Sequence, residues 1–189
     1  MNIFSGDVAA SVFTEYHSLI EQESDRGAVI LATSILDLKL KELIIAKLVD
    51  SDSSKDELFN GAYAPLHTFS SKIELAFRLG LINNKAKKQL KSLKAIRNDF
   101  AHSLASASFS DEPTSSRFRD ILEKLPEMTE AIFETLYKAK LIHSGDNKIS
   151  ILINEFGCRE TFNALFSMIC MAIHQLPQAV DKIKAQAAS

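Results

Sequence analysis

Apolar residues recur at three- and four-residue intervals along most of this chain, a spacing that predicts amphipathic helices separated by short polar breaks. From Asp7 to about Glu23, Val8, Val12, Phe13, Tyr16, Leu19 and Ile20 mark the first helix. Ser24 or Asp25 can cap a second, which extends to about Val49. Its face of Val29, Thr33, Leu36, Leu40 and Ile44 is flanked by Ile30 and Leu48, and its other sides are also rich in Leu and Ile. A helix apolar nearly all round belongs at the centre of a bundle, covered by several neighbours.

Polar breaks follow at Asp50–Ser54 and at Asn60–Pro65, with at most a short helix between them. Thr68 or Ser70 caps the next helix, which carries Ile73, Leu75, Ala76, Phe77 and Leu79. Gly80 then stands where a left-handed residue closes a helix. Asn83 opens a helix that runs to about Leu104. Ser106–Ser116 is a loop by composition and the best candidate for a mobile segment. Phe118 to about Leu141 is helical, with Pro126 either starting a new helix or kinking a longer one. Ser144–Asn147 is a turn. Lys148–Phe156 contains a β-branched run, and because one isolated strand has nothing to pair with, it is assigned to a loop or a helix start. A last helix from about Arg159 to Leu176 carries Phe162, Leu165, Phe166, Ile169, Cys170 and Ile173, and residues 177–189 form a tail expected to fray. The predicted fold class is all-α: a single domain over residues 1–189, a helical bundle of about six to eight helices.

Composition supports one domain. The 189 residues are 46% hydrophobic, enough for one sizeable core, and 6 Gly with 4 Pro leave few breakers. The absence of a long apolar run or a signal-like N-terminus predicts a chain that neither enters a membrane nor leaves a reducing cytoplasm. Cys158 and Cys170 lie twelve apart on one predicted helix, roughly 18 Å along its axis, too far to bridge. No Cys/His cluster has ligand spacing, so neither metal nor cofactor is expected. Lys plus Arg total 22 against 24 Asp plus Glu, and this net charge of −2 disfavours a pervasively basic duplex-DNA binder.

The candidate chemistry lies in the run Arg97-Asn98-Asp99-Phe100-Ala101-His102. Projected at about 100° per residue, Ala86, Leu90, Leu93, Phe100, Ala101 and Leu104 form one stripe, and Arg97 lands within it. A core-facing guanidinium needs a carboxylate. Asp37 interrupts the apolar face of the second helix in the same way, so a bidentate Asp37–Arg97 pair is expected to join the two helices. Beside it, Lys87, Lys91, Lys94, Asn98 and His102 share a wet, basic face suited to phosphate, a nucleic-acid backbone or an acidic protein. Asn98, four residues before His102, is placed to fix the imidazole tautomer. His17, His67, His143 and His174 lack such company and are assigned structural roles, with Tyr63 and His67 noted as loop residues.

The Arg97-to-His102 string resembles the signature of the HEPN superfamily of small helical bundles. That likeness implies a HEPN-like core and, in ribonuclease members, catalysis by the residues matching Arg97, Asn98 and His102 through attack of the RNA 2′-hydroxyl; many relatives have no such activity. A wider resemblance joins Glu23-Ser24-Asp25-Arg26-Gly27, Ser34-Ile35-Leu36-Asp37, Lys72-Ile73-Glu74-Leu75-Ala76 with Leu79-Gly80-Leu81-Ile82, and Ala95–His102. In order and spacing, over a family-like core of residues 1–105, this set is similar to the mannitol operon repressor family. It implies a bacterial cytoplasmic transcriptional regulator of mannitol uptake and metabolism genes.

Three functions compete. The first is a non-enzymatic regulator that acts through a protein partner, for which the resemblance points to a component of the phosphotransferase system, or through a homodimer. Exposed apolar residues on the second helix or on the Phe162–Ile173 helix would need cover. The second is an RNA-binding or RNA-cleaving module, with His102 as general base and Arg97 stabilising the developing phosphorane charge. The third is a repressor that reads its operator directly. It ranks last, because the one short helix pair, around Ser54–Gly80, carries Asp56 and Glu57 and little basic charge for a recognition helix.

Overall fold

The computed structural model describes residues 7–102 and 108–186. Helix α1 covers Asp7–Glu21 and α2 covers Asp25–Lys47. Ser24 caps α2, its hydroxyl accepting the Gly27 N–H at 3.1 Å and satisfying one of the donors a helix start leaves free. Val29, Leu36, Leu40, Leu43 and Ile44 are wholly buried on α2, each contributing roughly 1.5–3 kcal/mol of transfer energy. This helix touches α1, α3 (Phe69–Arg78), α4 (Asn84–His102) and α8 (Cys158–Gln175). It shares the centre with α8, in which Thr161 through Met171 are all buried. Of the two helices expected to expose apolar residues, α8 is covered within the chain over that stretch, whereas Ile30, Leu38 and Ile45 of α2 face outward.

Thr68 caps α3 by accepting the Ser71 N–H at 3.0 Å. The other end closes as anticipated: Gly80 takes φ +71°, its N–H reaches Phe77 O at 3.0 Å, and the Leu81 N–H reaches Ala76 O at 2.9 Å. Asn83 opens α4, its side chain accepting the Ala86 N–H at 2.8 Å. The buried stripe of α4 is Gln89, Leu90, Leu93, Ile96 and Phe100. Its centre lies between Leu93 and Phe100, which leaves Arg97 about 50° to one side. Arg97 and Ala101 are exposed, contrary to the inward placement expected of both, and Leu104 lies outside the described residues.

The predicted mobile loop, 106–116, begins outside the described residues, but its remainder is ordered by the core. Phe109 is 3% exposed, with its ring 5.2 Å from Phe100 and 5.0 Å from Phe162. Helix α5 (Glu112–Glu123) already starts inside this segment, with Pro113 in the first turn, where a missing N–H costs nothing. Pro126 begins a separate helix, α6 (Pro126–Lys138). Residues Lys148–Ile151 form the short α7, and Leu152–Gly157 form a π turn ended by Gly157 at φ +113°, so the helix-start reading of the β-branched run holds. Thr161 Oγ1 donates to the carbonyls of Leu152 and Gly157, both at 2.8 Å, and ties this turn to α8.

The tail expected to fray is tied to the end of α2 where it is described. After a 3₁₀ turn at Leu176–Ala179, the Ile183 N–H bonds Lys47 O at 2.8 Å and Lys47 Nζ bonds Asp181 O at 2.9 Å. An orphan carbonyl at the end of α2 is satisfied in this way. Cys158 and Cys170 are buried free thiols. Burial, reinforced by the Asp25 carboxylate, pushes Cys158 up to about 12, and burial raises Cys170 as well, so both stay protonated.

Candidate functional site

A cleft of about 550 Å³ opens where α2, the start of α3 and the middle of α4 converge. Thr33, Ser34 and Asp37 come from α2; His67, Thr68, Phe69 and Ser70 from the turn into α3; and Lys94, Arg97 and Asn98 from α4. The four-residue step from Thr33 to Asp37 and the three- and four-residue steps from Lys94 put each set on one helix face. Capping by Thr68 fixes the third wall.

The expected Asp37–Arg97 pair is replaced by another. Asp37 accepts both its bonds from Lys72 Nζ on α3, at 2.7 and 2.8 Å. Lys72 is 4% exposed, so its ammonium is the buried cation that needs a carboxylate, whereas Arg97 reaches solvent from the rim of its stripe. The Arg97 Nη1 instead donates to Asn98 Oδ1 at 3.2 Å. His102, which Asn98 was expected to orient, is itself exposed. Since the Lys72–Asp37 pair is met by one buried and one half-buried group, Lys72→Ala should cost about 2 kcal/mol and Lys72→Met under about 1 kcal/mol. Thermal melts of both variants check this; equal losses would show that the charge, not the packed stem, matters.

The lysines anticipated as one open face divide. Lys87 lies 4.1 Å above the Phe77 ring centre and 2.8 Å from Glu74, and Lys91 approaches the same carboxylate at 3.9 Å. The Lys87 bond holds Glu74 below the usual carboxylate range, despite the upward pull of desolvation. Lys94 turns the other way and donates to Ser70 Oγ across the cleft. Among the described residues, neither Lys94 nor Arg97 has a carboxylate within salt-bridge distance. Asp99 is engaged on the opposite side by Arg117 of α5.

His67 was assigned a merely structural part, yet it lines the cleft. Its Nδ1 is 2.7 Å from Ala64 O, which makes that nitrogen the donor and turns Nε2 away from this bond. The other three imidazoles lie elsewhere: His17 near Glu21, His143 near Glu155, and His174 against Tyr16. Tyr63 is fully exposed on its loop. The sequence signal for His67 and Ser70 was only that they flank the Thr68 cap. Among the described residues, no group of three His, Cys, Asp or Glu side chains gathers as a metal site would require, and no helix is long and apolar enough to cross a membrane.

In class, then, the molecule is an all-α single-domain bundle with a polar, cationic cleft on one side. Its fold is similar to that of a chain in the X-ray structure of the MtlR–HPr complex from Escherichia coli, with a TM-score of 0.58 and 16% identity over 86% of this chain and 98% of that one. At that identity the likeness concerns the fold alone. No family model and none of the curated proteins matches the chain.

Proposed function

We propose that this chain is a transcriptional regulator of the mannitol-operon repressor kind that acts through a protein partner, a phosphocarrier of the HPr type being the partner that best fits. The observation that carries the reading is the fold likeness, over 86% of this chain, to a chain of the MtlR–HPr complex. The blocks that resemble the mannitol operon repressor family lie on α2, α3 and α4, which build the cleft, and this supports it further. The docking surface is the open part of α4, Lys94, Arg97, Asn98 and His102, with Lys87 and Lys91 at its edge holding α4 to α3 through Glu74. A second copy of the chain would cover Ile30, Leu38 and Ile45. The test is transcript abundance of mannitol-uptake genes in a host strain that lacks this chain. Levels should rise several-fold, fall again on complementation with wild type, and stay high with Arg97→Glu. Unchanged transcripts in the deletion strain overturn the regulatory reading.

A second reading gains from one observation. An Arg97 neutralised by Asp37 would weaken RNA chemistry, and Arg97 is instead exposed and free of carboxylates among the described residues. An RNA-binding or RNA-cleaving module of HEPN-like type would then use Arg97, Asn98 and His102. Incubation with labelled RNA without metal separates the readings. Cleavage by wild type but not by His102→Ala supports this one, and equal inactivity removes it.

A further inference from the structure

Each cation of α4 that faces α3 or α6 has an acid: Lys85 has Glu127 at 2.6 Å, and Lys87 and Lys91 share Glu74. The two cations that face the cleft have none among the described residues. Lys94 and Arg97 are one helical turn apart, so their like charges repel each other there. The cleft's own carboxylate, Asp37, is already matched by Lys72, which leaves an uncompensated formal charge of about +2 in a concave space. Two of the acceptors in the walls are already taken, Asp37 by Lys72 and the Asn98 oxygen by Arg97, so donors predominate among the groups left over. Lys94 and Arg97 bring donors only, and neither the Phe69 nor the Ser70 backbone N–H has an acceptor among the described residues.

We infer that this cleft is a binding site for a phosphate monoester dianion, gripped by Lys94 and Arg97 against the Phe69 and Ser70 amides. The guanidinium offers a fork to two phosphate oxygens, and its bond to Asn98 holds it at the cleft mouth. Lys94 needs only to move its ammonium from the Ser70 hydroxyl to the ligand. The volume of about 550 Å³ exceeds what a phosphate group fills, so the ester's organic part has room beside Thr33 and Ser34. That part is either a small polyol or a phosphorylated protein side chain. The site stands whether or not a protein docks on α4, because it is tested on the purified chain alone.

The experiment is a titration of the isotope-labelled full chain, followed by backbone amide signals, with inorganic phosphate, glycerol 3-phosphate and a phosphoserine peptide. Potassium chloride at matched ionic strength is the control. Saturable shifts of the Phe69 and Ser70 signals are expected with phosphate, absent with chloride, and weakened about tenfold or more in both Lys94→Met and Arg97→Gln. Tighter binding of glycerol 3-phosphate than of the peptide assigns the site to small esters, and the reverse assigns it to phosphorylated protein. Both variants alter accessible side chains and should melt with the wild type. Shifts that are linear and equal with chloride, or unaltered in both variants, overturn the inference.

Discussion

Phe109→Ala should be among the most damaging single substitutions in the described chain, costing about 3–5 kcal/mol. The ring is buried where three helices meet, against Phe100 of α4, Phe118 of α5 and Phe162 of α8, with centroid separations of 5.2, 6.1 and 5.0 Å. Tilted and edge-on arrangements of this kind add to the area term, and the three rigid rings around it cannot stretch to refill the space. At a few degrees per kcal/mol for a domain of this size, the melting temperature should fall by about 10 °C or more. A loss of a degree or two would mean that the segment after α4 is a surface loop, as its serine-rich composition suggests.

The second large effect should come from Arg159→Ala, at about 3 kcal/mol. This guanidinium donates to Asp25 Oδ1 at 2.8 Å, to the carbonyls of Ile20 at 2.7 Å and Glu23 at 2.9 Å, and to Asn163 Oδ1 at 3.0 Å. It therefore caps the end of α1, anchors the start of α2 and fixes both to α8. Asp25 also accepts from the Ser108 hydroxyl at 2.7 Å and the Phe109 N–H at 2.8 Å, so the substitution removes the charge that balances a half-buried carboxylate. Burial alone would raise Asp25, but the bonds from Ser108, Phe109 and Arg159 outweigh it and hold the group below its ordinary 3.8. A lowered native value means the folded state binds its proton less readily than the unfolded one. The stabilisation is therefore fully present above about pH 4 and is lost as pH falls through the native value. Urea midpoints of wild type and Asp25→Asn should stand apart above about pH 4 and draw together as pH falls below it. Parallel curves across that range would remove Asp25 from this role.

These two centres also show where the sequence was legible. Caps are local, and Ser24, Thr68 and Gly80 were each identifiable because one side chain or one left-handed residue decides a helix end. The all-α class followed from spacing for the same reason. Arg97 was misplaced because Ala101, which is exposed, was counted into the α4 stripe and the buried Ile96 was left out, which drew the stripe's centre toward Arg97. The partner of Asp37 was misjudged because Lys72 carries its charge inward on an aliphatic stem, and a lysine on a short amphipathic helix ordinarily points to water. Phe109 sits in a serine-rich run with no periodicity of its own, and Arg159 meets Asp25 across 134 residues of chain. Such long-range matches belong to packing and leave no trace in local pattern. Of the cleft's lining, Lys94 and Asn98 stand among the α4 residues singled out in the sequence while Lys87, Lys91 and His102 lie outside it, and the α3 wall left no local signal, since a helix start joins a cleft only when another helix faces it.

The central claim, that the open side of α4 docks a phosphocarrier protein, is tested most directly by calorimetric titration of the full chain with purified HPr from the same host. Wild type should bind saturably with a Kd of roughly micromolar order, and the double charge reversal Lys94→Glu with Arg97→Glu should weaken it at least about tenfold with the melting temperature unchanged. No binding by wild type, or equal affinity in the folded double variant, would contradict it.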